Sequence, residues 1–275
     1  MRTLLPAAAL AALFSAGLAA AQETSPYVPP PAGPYEPVRR DPVGTRLVNG
    51  ATPFTVGGHR LEALFTHRFR QPISDSDSHD LWGLDSGSDV GIGLSFGATD
   101  HLDLSFYRAS FQEDFELAGK FLFFEQAARV PLTISLRAGA DLLRRPGVAD
   151  SNRPFVQLLL ARRLARGVNL LVSPSWVADT PRLENAFNVP VGLTFPLPGN
   201  RLLELEDVPA NRDLDASQAA WHVAVSKAIG GHLFEVLLGN SRATTVDQML
   251  GGDSAAGFEE GDVRLGFNIV RYFNL

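Results

Sequence analysis

From residue 59 to the last, apolar residues alternate with polar or small ones at a period of two, in one run after another. Val90, Ile92, Leu94 and Phe96 are interleaved with Asp89, Gly91, Gly93, Ser95 and Gly97, and Val130, Leu132, Ile134, Leu136 and Ala138 with Thr133, Ser135, Arg137 and Gly139. Phe187, Val189, Val191, Leu193 and Phe195 repeat the pattern. In the final segment Val263, Leu265, Phe267, Ile269, Phe273 and Leu275 oppose Asp262, Arg264, Gly266, Asn268 and Asn274. Successive side chains of a β-strand point to opposite faces, so each run is a strand with one greasy and one small or polar face.

Such runs predict about twelve strands, centred near residues 64, 93, 105, 120, 136, 157, 173, 190, 203, 223, 236 and 269. Their connections are of two kinds. The odd-numbered ones, at 70–87, 109–114, 142–153, 178–184, 206–218 and 241–261, are long, and the even-numbered ones, at 98–101, 125–129, 162–167, 196–200 and 228–231, are short. An even strand number, long loops at one end, short turns at the other and both termini on the short-turn side describe an all-β, antiparallel, up-and-down transmembrane β-barrel. Closure satisfies every backbone group while the outer face meets lipid. Aromatics near the strand ends, Phe69, Phe96, Phe123, Trp176, Phe195, Trp221 and Phe273, suit interfacial girdles. A soluble periplasmic barrel, with large residues padding its core, is the structural rival.

Composition removes other classes. The 24 Lys and Arg stand against 30 Asp and Glu, a formal charge of −6, which argues against a nucleic-acid partner. With no Cys, thiol catalysis, Cys-ligated zinc, iron–sulfur clusters, disulfides and a lipid-modified N-terminal Cys all drop out. After the first segment no run approaches 18 consecutive apolar residues, so no transmembrane helix is expected.

The N-terminus carries an address. Arg2, an apolar stretch from Leu4 to Leu18 and Ala19-Ala20-Ala21 have the pattern of a secretory signal peptide, with cleavage expected after Ala21. Pro26, Pro29, Pro30, Pro31, Pro34, Pro37 and Pro42 then disfavour helix and central strand and predict an extended spacer. The expected organisation is a signal peptide over 1–21, a Pro-rich periplasmic arm over 22–45 and a barrel over 46–275. Export and barrel together point to the outer membrane of a Gram-negative bacterium.

Several details strain this reading. Arg108, Lys227 and Arg271 fall on the lipid face, each near a strand end from which a long side chain can snorkel. Leu158, Leu159 and Leu160 are apolar on both faces and leave the sixth strand unassigned. The ninth strand, around Leu203 and Leu205, is short and carries Glu204 and Glu206, and ten or fourteen strands remain open. The last strand resembles the terminal signal of outer-membrane barrels that the barrel-assembly machinery reads, but ends in Leu275 rather than an aromatic and has Arg271 in phase.

Two stretches are more specific: LEALFTHRF (Leu61 to Phe69) with LWGLDSGSDVGIGLSFGATDHLDLSFYRAS (Leu81 to Ser110), and GGHLFEVLLGNSRA (Gly230 to Ala243) with GFEEGDVRLGFNIVRYFNL (Gly257 to Leu275). Their marks are His67-Arg68-Phe69, Gly83-Leu84-Asp85, Gly97 with Thr99-Asp100, Gly231-His232, Asn240-Ser241 and Gly266-Phe267-Asn268. On these the chain, over roughly residues 45 to 275, resembles an uncharacterised bacterial β-barrel family, a domain of unknown function. The resemblance implies a membrane β-barrel and no known catalytic residues.

Candidate chemistry is sparse. His67, Asp75, Asp77, His79 and Asp80 could supply metal ligands, but Asp80 and Ser86 stand where an EF-hand loop needs Gly and Glu, so a solvated acidic loop is favoured. His222 and His232, on neighbouring strands, could face each other, yet spacing places no third ligand. His232 and Ser241 are nine residues apart along one strand, roughly 30 Å at about 3.3 Å per residue, too far for one hydrolytic site. No catalytic residue, metal site or cofactor is therefore expected.

The polar faces hold Glu62, Arg68, Asp103, Tyr107, Lys120, Arg137, Asp141, Asn169, Asn188, Arg264 and Asn268, which are expected to line the lumen as a channel or lock together as a plug. Gly91, Gly93, Gly139, Gly192 and Gly266 leave room among them and tilt the expectation to a porin-like narrow channel or small-solute transporter. The alternatives are a non-conducting barrel that docks a periplasmic protein partner and, less favoured, a lipid-modifying enzyme. Lipid and the assembly machinery are the expected partners in every case.

Overall fold

A computed structural model of the chain describes residues 44–147, 149–181, 184–211, 217–252, 255 and 262–275. The signal peptide and nearly all of the Pro-rich arm lie outside these residues. The strands are β1 (Arg60–Phe69), β2 (Ser88–Gly97), β3 (Leu102–Ala109), β4 (Asp114–Phe124), β5 (Thr133–Leu143), β6 (Ser151–Arg163), β7 (Asn169–Val172), β8 (Ser175–Val177), β9 (Ala186–Asn188), β10 (Val191–Leu197), β11 (Arg201–Val208), β12 (Ala220–Ile229), β13 (His232–Gly239) and β14 (Arg264–Asn274).

These fourteen segments make twelve staves. Pro174 separates β7 from β8 and Pro190 separates β9 from β10, because proline has no N–H to give to the ladder. Their carbonyls still serve it: Leu158 N donates to Pro174 O and Ser173 N to Pro190 O, each at 2.9 Å. Each pair of short segments is therefore one interrupted stave. All neighbours are antiparallel, β1 pairs with both β2 and β14, and the β5–β6 pairing closes the sheet. All twelve strand centres expected from the alternation are present. The short connections gather at one end, as at 98–101, 198–200 and 230–231, and the long ones at the other, as at 70–87 and 240–263.

The two faces sort by chemistry. Ile92, Leu94, Leu104, Phe106, Val225, Phe234 and Val236 point outward and are exposed, while Glu62, Arg68, Asp103, Glu116, Lys120, Arg137, Asp141 and Arg153 point inward and are buried. Apolar outside and ionic inside is the inverse of a soluble barrel and the pattern a bilayer requires. The sixth stave, ambiguous in sequence, resolves cleanly: Leu159 is wholly buried inside and Leu158 is exposed outside. β11 is present too, with Glu204 and Glu206 both turned into the interior.

Candidate functional site

The interior is built around a finger. Residues 44–58, ahead of β1, enter at the short-turn end and double back as a hairpin. Arg46 bridges Ala51, Leu47 N donates to Gly50 O and Thr52 N to Thr45 O, each at 2.9 Å. The finger's base is tied to the first short turn by Gly58 N, which donates to Asp100 Oδ1 at 3.1 Å, and by Thr55 Oγ1, which donates to Asp100 O at 2.8 Å. Its tip lies deep between the walls. There the Glu206 carboxylate accepts from Asn49 N (3.0 Å) and Gly50 N (2.7 Å), so a wall side chain satisfies two turn amides.

Other wall residues hold the finger in the same way. Asn268 Nδ2 donates to Val48 O at 2.9 Å, Ser135 Oγ to Pro53 O at 2.6 Å, and Val56 N donates to Asp103 Oδ2 at 3.0 Å. Lys120 Nζ donates to the carbonyls of Thr52 and Phe54, and Thr45 Oγ1 to Glu62 Oε2 at 2.6 Å. Two apolar anchors splay from the tip: Leu47 packs with Ala161 and Leu171, and Val48 with Ala224 and Leu237. The wall is relieved where the finger passes, since a Cβ on Gly97 would overlap the Gly57 carbonyl and one on Gly192 would overlap Leu47.

The long-loop end is filled separately. The last long connection folds inward and carries a short helix, α1 (Val246–Gly251), every residue of which is buried. Glu116 Oε2 accepts from Val246 N at 3.1 Å and Asp141 Oδ2 from Asp247 N at 2.9 Å, so two wall carboxylates satisfy free amides of its first turn. Arg153 pairs with Asp247, and Gln248 Nε2 donates to Asp114 Oδ2 at 3.2 Å. Val246, Met249 and Leu250 meet Phe155, Val177 and Val208 in an apolar cluster. Finger and helix loop touch where Arg46 Nη1 donates to Thr244 O at 3.5 Å and Nη2 reaches Glu116 at 3.4 Å. Two small cavities of about 30 Å³ each remain beside the finger, and Arg46, Ala51 and Arg137 line both.

Of the residues expected on the lumen face, Glu62, Arg68, Asp103, Tyr107, Lys120, Arg137, Asp141, Asn169, Asn188 and Asn268 are buried in the interior. Most are spent on fixed contacts. Arg137 pairs with Glu116, Tyr107 Oη bonds Thr66 Oγ1 at 2.7 Å, and Asn169 Nδ2 donates to Thr194 Oγ1 at 3.1 Å. Arg264 is the exception: it sits half-buried at the rim, donating to Arg70 O and pairing with Asp262 at 3.0 Å. The room expected from the glycines is occupied, because Tyr107 lies against Gly91 and Gly93 and Leu47 against Gly192.

The histidines do not form a pair. His222 is buried inside, beside Glu206 at 3.4 Å and Asn49 at 3.2 Å, whereas His232 is on the outer face near a short turn. Ser241 is buried near His222, which contacts its backbone oxygen at 3.3 Å, and not near His232. In the first long loop Asp80 accepts from Gln71 Nε2 at 2.6 Å and from Asp77 N at 3.0 Å, which organises the loop internally. Among the described residues no three His, Asp or Glu side chains converge in metal-ligand geometry.

Sequence reasoning missed the finger and α1. Both left signals: Asn49-Gly50 is a turn dipeptide, and Thr245-Val246-Asp247-Gln248 has the spacing of a capping box. Thr245 instead donates its hydroxyl to Asp247 at 2.7 Å. Glu116, Arg153, Glu206 and Glu235 were also missed, although each shares the parity of an inward neighbour on its strand.

A closed twelve-stave barrel, apolar outside and ionic within, is a transmembrane β-barrel by construction. The chain belongs to the membrane-bound β-barrel domain family DUF5777, whose model matches residues 43–273. A search of curated proteins finds no significant match. Solved structures of similar fold include outer membrane phospholipase A from Escherichia coli, at 12% identity and TM-score 0.46, covering 77% of this chain and 89% of that one. The Salmonella typhi outer membrane phospholipase dimer with bound calcium has 11% identity and TM-score 0.46, over 82% and 94% of the two chains. LpxR from Salmonella typhimurium has 12% identity and TM-score 0.34, over 78% and 100%. At such identities and TM-scores these likenesses carry nothing about residues or activity.

Proposed function

We propose that this chain is a non-conducting outer-membrane barrel, a scaffold that keeps its own N-terminal finger in the lumen and presents the Pro-rich stretch ahead of residue 44 to a periplasmic protein. Short turns face the periplasm in barrels of this build, and the finger enters from that end. The observation that carries the reading is the finger itself, held by buried wall residues including Glu62, Arg68, Asp103, Lys120, Ser135, Glu206 and Asn268. Purified full chain in planar bilayers should give no steady conductance, while an open narrow channel predicts discrete steps. Removing residues 22–42 should abolish co-purification of the partner, and an unchanged pull-down would end the docking half of the proposal.

A gated channel or small-solute transporter is the second reading, favoured by the polar grip on the finger. Hydrogen bonds exchange with water more readily than apolar packing does, and cavities already flank the finger. It predicts a silent intact protein and a conducting one once residues 44–58 are deleted. The scaffold reading includes no catalytic step, and phospholipid turnover by pure protein would overturn it. Export is part of the proposal: membrane fractionation with a heat-dependent gel shift, and an N-terminus beginning at Gln22, are the expected results.

A further inference from the structure

Four basic residues lie on the outward face at the short-turn end of four consecutive staves: Arg201 on β11, Lys227 on β12, His232 on β13 and Arg271 on β14. The ladder registers make them contiguous. Arg201 is opposite Lys227, His232 is opposite Arg271, and Lys227 lies diagonally from His232, two residues along from its partner Phe234. Directly opposed side chains are about 5 Å apart at Cβ and diagonal ones about 7–8 Å, within reach of long side chains.

Arg201 and Lys227 are like charges placed opposite each other across a ladder, an arrangement that is destabilising. Here no acidic side chain relieves them: among the described residues, none of the four makes a salt bridge, and the acidic residue facing outward on these staves, Asp207, is at the far end of β11. On the mid-strand side of the row Val225 and Phe234 are exposed, while Ile229 and Phe273 flank it on the turn side. Arg201, Lys227 and Arg271 sit near strand ends at the short-turn edge of the apolar belt, where acyl chains give way to headgroups that can bring a counter-anion from outside the protein.

The row is also partly pre-organised. Arg271 Nη1 is 3.0 Å from His232 Nδ1, and a guanidinium can only donate, so Nδ1 accepts and the imidazole N–H is on Nε2. Cation–π contact with Phe273, 5.4 Å from the ring centroid, steadies the same guanidinium. Arg201 is held by donating Nε to Pro198 O at 2.7 Å. Remaining guanidinium donors, the Nε2–H of His232 and the ammonium of Lys227 present several donors to one anionic oxygen cluster.

We infer that Arg201, Lys227, His232 and Arg271 form a binding site for the phosphate headgroup of an anionic glycerophospholipid in the leaflet on the short-turn side. The acyl chains lie along Val225, Phe234 and the neighbouring belt. An acylated anion is favoured over a free one because the basic row and the apolar belt are continuous on one surface.

The test is native mass spectrometry of the full chain in detergent, incubated with phosphatidylglycerol, phosphatidylcholine or glycerol 3-phosphate. Phosphatidylglycerol adducts should survive collisional activation better than phosphatidylcholine ones, and glycerol 3-phosphate should neither bind nor compete. The Lys227→Gln/Arg271→Gln pair should weaken phosphatidylglycerol binding roughly thirtyfold, at about fivefold per basic residue near a headgroup layer. Arg144→Gln, at the long-loop end, should leave it unchanged. A heat-dependent gel shift checks folding, and Lys227→Gln alone, at an exposed position, should still weaken binding about fivefold if the pair does not fold. Equal retention of the two lipids, binding of glycerol 3-phosphate alone, or undiminished binding by folded variants would each overturn the site.

Discussion

Nη2 of Arg68, on the wall strand β1, donates a 2.6 Å hydrogen bond to Oδ1 of Asn49, at the tip of the finger. The same guanidinium donates through Nη1 to Asn268 Oδ1 at 2.8 Å on the adjoining β14. One buried cation thus ties the finger to the seam where the first and last strands meet, and Asn268 passes the contact on to Glu235 at 2.9 Å. The junction is between elements near opposite ends of the chain.

Arg68→Met keeps the length and apolar stem of the side chain and deletes these donors. Hydrogen bonds to a charged group contribute about 1.5–3 kcal/mol each, so a net loss of about 2–3 kcal/mol is expected, part of the gross effect being offset by no longer burying a charge. Urea unfolding in detergent, followed by tryptophan fluorescence, measures it; an unchanged midpoint would mean that the finger contact contributes little.

At Glu206 the oxygen matters more than the charge. Glu206→Gln retains an acceptor for the amides of Asn49 and Gly50, whereas Glu206→Ala leaves both unsatisfied at a cost of about 1–3 kcal/mol per buried group. The alanine variant should unfold at distinctly lower urea than the glutamine variant. Equal midpoints for the two would show that these amides find water.

Gly97→Ala sets a methyl group against the Gly57 carbonyl at the base of the finger. Backbone on both sides leaves little to give, so the finger should shift or leave while the barrel stays closed. As the chain has no native Cys, a single cysteine at Ala51 reports on this: maleimide labelling should rise in the Gly97→Ala background with the heat-dependent gel shift unchanged.

Arg153→Ala removes the cation that pairs with Asp247 on α1 and lies 4.0 Å from Asp114 on the wall. Breaking a buried pair from one side leaves uncompensated charge, at a cost on the order of 3–5 kcal/mol. The helix loop should swing out, read as new protease cleavage within residues 240–252. Protection equal to the parent would show that the apolar cluster around Leu250 alone holds the helix.

Strand number, strand placement and the inward parity of Glu62, Asp103, Arg137 and Asn268 were legible in the sequence because a period of two maps directly onto the two faces of a sheet. Leu158 to Leu160 were not, since apolar side chains on both faces carry no parity signal. Only the ladder register, which sets Leu159 opposite Ser135 inside the barrel, decides them.

The use made of the lumen was illegible for a different reason. Alternation says that a residue points inward, not what it meets there. The bond from Arg68 to Asn49 spans 19 positions, that from Asn49 N to Glu206 157, and that from Val246 N to Glu116 130, and no local pattern encodes such pairings. Of the inward glycines read as open space, Gly192 is clearance for Leu47 and Gly91 and Gly93 for the Tyr107 ring. The sequence alone determined an antiparallel barrel of about twelve staves with a polar interior, because that follows from local periodicity and connection length. Whether the interior is open or filled was decided only by the tertiary structure, because it depends on long-range complementarity between the wall and two segments that lie outside the strands.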